Sequence, residues 1–120
     1  MRCLFLDPQG SAIKAREREE GYALNDLASL TELNIQLMRR LRDRLPTEAR
    51  GRVELATYDE TLRFNTVFID GGLCIMQPYL QEARGVDAPT FVIERKPNSP
   101  GLFHVFRHAY DSLWERGKPA

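Results

Sequence analysis

The stretch Arg63-Phe64-Asn65-Thr66-Val67-Phe68-Ile69-Asp70-Gly71-Gly72-Leu73-Cys74-Ile75-Met76 constrains this chain more than any other. Its β-branched and aromatic run favours a pleated, half-buried strand. Asp70-Gly71-Gly72 then supplies residues that tolerate positive φ, as a two-residue hairpin loop requires. The apolar run from Leu73 returns as a second strand. Side chains two apart share a strand face, so Arg63, Asn65, Val67 and Ile69 point one way. Two polar residues therefore sit at one end of an otherwise apolar face, which presents a small polar site from a rigid sheet.

The other elements follow from periodicity and punctuation. Arg2 to Leu6 is a short apolar run stopped by Asp7-Pro8, as in a buried strand. A domain that starts on a core strand is unusual, because termini fray, so the chain is expected to begin inside a larger protein. Gly10 to Gly21 carries charges of mixed sign (Lys14, Arg16, Glu17, Arg18, Glu19, Glu20) at helical spacing, which predicts a short solvated helix closed by Gly21. A long helix is expected over Asn25 to Leu45, with Asn25 as N-cap and Pro46 as its stop. Leu27, Leu30, Asn34, Leu37, Met38 and Leu41 form its apolar stripe, widened by Leu24, Leu33 and Leu45. Asn34 within that stripe reads as a core-edge amide with a backbone partner, the alternative being a registry device between two copies.

Val53 to Tyr58 reads as a strand, followed by a turn at Asp59-Glu60 and the hairpin, whose second arm ends at Gln77-Pro78-Tyr79. Leu80 to Ala88, with Gly85, reads as a polar loop, and Pro89 to Glu94 as the last strand. Ser99 is the expected N-cap of a closing helix, with Pro100 at its first position, running to about Arg116 and ended by Gly117 and Pro119. Phe103, Phe106, Tyr110, Leu113 and Trp114 form its core face.

At 120 residues the chain is expected to be one domain. Formal net charge is zero, so no global basic field recruits nucleic acid or anionic membrane. The apolar runs fall short of a membrane span or a signal peptide, and a cytoplasmic location is expected. Cys3 and Cys74 read as structural thiols in strands rather than as a disulfide or metal pair.

Two further groups of residues carry possible chemistry. Arg39, Arg40, Arg42, Arg44, Arg50 and Arg52 crowd the end of the long helix and the following loop. They suit the helix dipole, with an anion or nucleic-acid patch as the alternative, although no aromatic residues interleave for base stacking. His104 and His108 stand four apart on the closing helix, with Asp111 and Glu115 beyond them. The spacing is one that zinc uses, but it also describes a solvated face, so neither metal nor cofactor is expected.

The spacing of the hairpin resembles the phospholipase D-like phosphodiesterases. That family carries His-x-Lys followed four residues later by Asp, in a strand that turns at Asp-Gly into a second strand. Counting back from Asp70, the His position is Arg63 and the Lys position is Asn65. The final strand Phe91-Val92-Ile93, followed by a helix with Phe106, Tyr110 and Leu113-Trp114, is similar to the family's closing segment. Leu4-Phe5-Leu6-Asp7-Pro8 and Gln77-Pro78-Tyr79-Leu80 resemble more narrowly the versions without the catalytic motif that stand behind helix-turn-helix modules in bacterial regulators. Where active members have Gly-Ser-x-Asn this chain has Gln77-Pro78-Tyr79-Leu80, and where they tend to have a glutamate it has Pro89-Thr90-Phe91. Only Asp70 of the signature remains.

The resemblance implies an α/β fold, one phospholipase D-like half-domain with a sheet of about five strands packed against a long helix and a C-terminal helix. It also implies a lost nucleophile, since an arginine stays protonated and serves neither as nucleophile nor as general base. The expectation is a non-catalytic sensing or interaction domain of a bacterial regulator, with an anionic small molecule as ligand. A divergent phosphodiesterase or nuclease and a homodimerisation module are the alternatives. Nucleic acid would be met only through a separate attached domain. The candidate ligand residues are Arg63, Asn65 and Asp70, with Tyr58, Gln77 and Tyr79 nearby; no catalytic residue is assigned.

Overall fold

A computed structural model describes residues 1–80, 88–98 and 101–120. The expected polar loop around Gly85 lies outside the described residues for most of its length, as does the cap expected at Ser99 and Pro100. In chain order the elements are β1 (Arg2–Leu6), α1 (Ser11–Glu20), α2 (Asp26–Asp43), α3 (Thr47–Arg50), β2 (Glu54–Tyr58), β3 (Phe64–Ile69), β4 (Leu73–Pro78), β5 (Phe91–Glu94), α4 (Leu102–Arg116) and β6 (Lys118–Pro119). The fold is mixed α/β. In place of one continuous sheet of about five strands, the strands divide between two three-stranded sheets, ordered β1-β2-β6 and β3-β4-β5. The chain forms two compact units, one of Met1–Thr61 with Arg116–Ala120 and one of Leu62–Glu115.

In the first unit β1 runs parallel to β2, from Arg2 opposite Glu54 to Leu6 opposite Tyr58. A parallel pair needs a long crossover, and α1, α2 and α3 supply it. The short β6, which the sequence did not announce, pairs antiparallel with the other edge of β2 at Ala56 and Thr57. Leu6, Ile13, Ile35, Leu55 and Ala56 are buried and form the core of this unit.

The helix ends are held by carboxylates from elsewhere in the chain. Gly10 stands at the N-cap of α1 and has no side chain to offer. Asp59, just past β2, takes its place, accepting from the Ala12 N–H at 2.9 Å and the Ser11 N–H at 3.3 Å. A Cβ on Gly10 would stand 2.5 Å from that carboxylate, so the close approach requires glycine. At α2, Asn25 adopts a left-handed φ of 67° and makes no side-chain cap bond. A capping side chain works from extended backbone, so the expected Asn25 cap does not form. Oε2 of Glu17 instead accepts from the Leu27 N–H at 2.9 Å and the Ala28 N–H at 3.3 Å. Glu17, expected on a solvated face, is only 2% exposed. It lies four residues from the fully buried Ile13, so the helical turn that buries one carries the other inward.

The stripe on α2 also departs from expectation. The residue it buries is Ile35, with Ala28, Thr31, Met38 and Arg42 half-buried on the same arc. Leu30, Leu33, Leu37 and Leu41 stay exposed, as does Asn34. At 3.6 residues per turn the two arcs lie roughly 130° apart. Asn34 is thus on an open face rather than at the edge of the core. The helix stops at Asp43, and Pro46 opens the unanticipated α3.

In the second unit α4 packs its rings against those of β3. Phe64 meets Phe106 edge-on at 5.1 Å, and Phe68 meets Phe103 edge-on at 5.7 Å. Phe68 also contacts Tyr110 at 5.6 Å and lies under the Arg107 guanidinium at 5.2 Å. Such ring pairs contribute about 0.5–1.5 kcal/mol beyond their burial. Phe103, Leu113 and Cys74 are the buried centre. Trp114, expected to be substantially buried with Phe106 and Tyr110, is half-buried and stacks on Tyr110 at 6.4 Å.

Two stability predictions follow from this packing. Phe103→Ala should cost about 3–5 kcal/mol in chemical denaturation, the usual loss for a large buried ring, and Trp114→Ala clearly less. Equal losses in the two variants would contradict the burial difference. Glu17→Ala should lower stability by about 1–2 kcal/mol, as loss of an N-cap does. The Leu27 and Ala28 amides should then lose hydrogen-exchange protection, and unchanged protection at both would show that the carboxylate does not hold them.

Candidate functional site

The candidate site is built on the hairpin. Asp70 and Gly71 both take positive φ, 52° and 69°, and the Gly72 N–H donates back to the Ile69 carbonyl at 3.2 Å. Positive φ at both central residues is the requirement of a type I′ turn, whose twist matches that of the strands. Ile69 pairs with Leu73, so Gly72 is one residue more than a two-residue loop would hold. From there the register runs through Val67 opposite Ile75 to Asn65 opposite Gln77. The Tyr79 N–H donates to the Arg63 carbonyl at 2.7 Å and carries the pairing past the end of β3.

Period-two alternation turns this register into a graded face. Arg63 stands beside Tyr79, then Asn65 beside Gln77. Val67, Ile75 and Val92 follow across three strands, and Ile69, Leu73 and Glu94 come last. Asn65 Nδ2 donates to Gln77 Oε1 at 3.3 Å. The structure thus brings four expected residues together at one end: Arg63, Asn65, Gln77 and Tyr79. It does not bring Asp70, which sits in the turn seven positions along the strand from Arg63, on the order of 20 Å at strand rise. Tyr58 belongs to the first unit, where its carbonyl accepts from the Asp7 N–H at 2.7 Å.

Within the arginine cluster, Arg50 serves the end of α2. Arg50 donates from Nε to the Leu45 carbonyl and from Nη2 to the Asp43 carbonyl, both at 3.0 Å. It thereby satisfies carbonyls left over at a helix C-terminus. Arg42 pairs with Asp43 at 3.5 Å, and the Arg52 carbonyl accepts from the Met1 amine. Arg40, Arg44 and Arg52 are exposed, and Arg39 is half-buried. On α4, His104 and His108 are exposed, and Asp111 is paired with Arg107 at 3.3 Å. Among the described residues no three potential ligands gather as a metal would need, and no helix is long and apolar enough to cross a membrane.

The structural roles of Glu17, Asp59 and Glu60 escaped the sequence reading. Glu60 takes two bonds from Arg116, at 2.8 and 2.9 Å, and that guanidinium holds its carboxyl below the ordinary glutamate range. The one advance signal was Gly10, a helix start without a side chain, whose cap must come from elsewhere.

Both cysteines are free thiols. Burial pushes the thiols of Cys3 and Cys74 up, so neither is primed as a nucleophile. Cys74 is fully buried. It should therefore resist a thiol reagent such as DTNB near neutral pH in the native protein and react once the chain is unfolded. Rapid native labelling mapped to Cys74 would contradict this packing.

The family model described as a domain of unknown function, DUF5919, matches residues 1–120, and the chain belongs to that family. Neither the curated proteins nor the solved structures gave a match.

Proposed function

We propose that this DUF5919 domain is a non-catalytic binding domain of a bacterial regulatory protein, a degenerate phospholipase D-like half-domain that takes an anionic small molecule at the polar end of its hairpin. The observation that carries this reading is the register of β3 against β4, which places Arg63, Asn65, Gln77 and Tyr79 together on one face. A guanidinium matches a carboxylate or phosphate with two parallel donors. The neighbouring amides and phenol supply neutral donors and acceptors that select the rest of the ligand. The same arginine argues against hydrolysis, since a guanidinium serves neither as nucleophile nor as general base. The proposed ligand class is anionic because a guanidinium attracts a carboxylate or phosphate and repels a cation.

The test is calorimetric titration of inorganic phosphate, nucleotides and phosphorylated metabolites against wild type, Arg63→Ala and Asp70→Asn. Arg63→Ala should weaken a genuine ligand roughly tenfold or more, the equivalent of one charge-assisted contact. Asp70→Asn should leave affinity unchanged, because Asp70 lies at the far end of the hairpin and asparagine tolerates its positive φ. A ligand that binds wild type and Arg63→Ala equally would move the site elsewhere. Hydrolysis of bis-p-nitrophenyl phosphate that disappears in Arg63→Ala would replace the binding reading with a catalytic one.

A further inference from the structure

The open face of α2 belongs to neither the core of its unit nor the hairpin site. Leu30, Leu33, Leu37 and Leu41 line it over three helical turns, each between 49% and 51% exposed. Four large side chains on one arc form a contiguous apolar stripe, and such a stripe marks an interaction surface.

The arrangement of residues along it is self-complementary. Leu33 and Leu37 lie two positions either side of Ile35. Leu30 and Leu41 lie five and six positions away, and Asp26 and Arg44 lie nine. Asp26 and Arg44 are five whole turns apart and flank the same side of the stripe. An isologous interface requires that if residue i meets residue j of the partner, then j meets i. An antiparallel pairing of two α2 helices about a twofold axis near Ile35 meets that condition at every layer. Leu33 and Leu37 cluster on the axis, Leu30 meets the partner's Leu41, and Asp26 meets the partner's Arg44. Asn34 lies close to the axis, where an amide both donates to and accepts from its own symmetry copy.

Charge sets the direction. The first turn of α2 carries Asp26, and its C-terminal end carries Arg40 and Arg44 on the same flank. A parallel pair would set those arginines against their own copies, whereas the antiparallel pair sets them against Asp26 and opposes the two helix dipoles.

We propose that two copies of this chain associate through the leucine face of α2, antiparallel, with Asp26 of each copy paired to Arg44 of the other. The pairing uses no residue of the hairpin site, so failure of one reading leaves the other intact.

The test is the mass of the 120-residue protein in solution by light scattering and sedimentation, against a chain mass of 13.8 kDa. Wild type should have twice that mass and dissociate on dilution. Leu37→Glu should be a monomer with unchanged helical circular dichroism, since its position is half exposed in the single copy. Leu41→Gln, a milder change, should raise the dimer dissociation constant roughly tenfold, about the effect of losing one buried leucine contact. Arg44→Glu should weaken the dimer, and added salt should weaken wild type. A wild-type monomer at all accessible concentrations would overturn the proposal, as would a dimer indifferent to both leucine variants. A dimer strengthened by Arg44→Glu would overturn the antiparallel pairing.

Discussion

The carboxylate of Glu17, nearly sealed from water inside the first unit, governs how that unit is put together. Burying a carboxylate costs several kcal/mol even after relaxation. Against this stand two N–H bonds from the first turn of α2, about 1.5–3 kcal/mol each as bonds to a charge, and a dipole contribution of about 0.3–2 kcal/mol. The opposing quantities are of similar size, so the main consequence is geometric. Glu17 Oε1 has no hydrogen-bond partner among the described residues, which leaves the α2 amides as the partners of this carboxylate there. The first turn of α2 stands where Oε2 reaches its amides. Asp59 repeats the device one step earlier, fixing the start of α1 from the end of β2. The two helices are thereby set in sequence, α1 by a carboxylate from the end of β2 and α2 by a carboxylate from α1.

Local punctuation was legible in the sequence, and long-range partnership was not. Gly21 closes α1 in the left-handed region, Pro46 follows the end of α2, and the hairpin turns at Asp70-Gly71 as its residue types require. These outcomes depend on a few neighbouring residues. The caps depend on Glu17 finding Leu27 and on Asp59 finding Ala12, which spacing along one helix does not encode. Asn25 had the right chemistry for a cap, but its backbone conformation removes it from the role.

The faces of α2 show a second limit. Periodicity gives the angle between residues on a helix, and α2 has two arcs that qualify as apolar. The larger leucine arc looked like the core, yet the arc through Ile35 was chosen, with a β-branched side chain and the half-buried Thr31 and Met38 beside it. A pattern cannot rank two such arcs, because the ranking depends on the shape of the surface they meet. The division into two sheets was hidden for the same reason: the sequence shows five strand-like runs but not the two-residue β6, and strand pairing is decided by contacts between distant residues.

At the candidate site, alternation and register were legible, and the proposed binding role rests on them. The Asn65–Gln77 bond is an exposed amide pair, worth about 0.5–1.5 kcal/mol at most and readily exchanged for contacts to another molecule. Beneath it the backbone is held by the paired strands and by the phenylalanines packed on α4, which a ligand at the open face leaves untouched. Fixed backbone under easily redirected polar tips keeps the ordering cost of binding low, since side chains adjust while the scaffold does not. An arginine side chain at the edge of this platform suits recognition of an anion better than proton transfer, which is why the proposed role is binding.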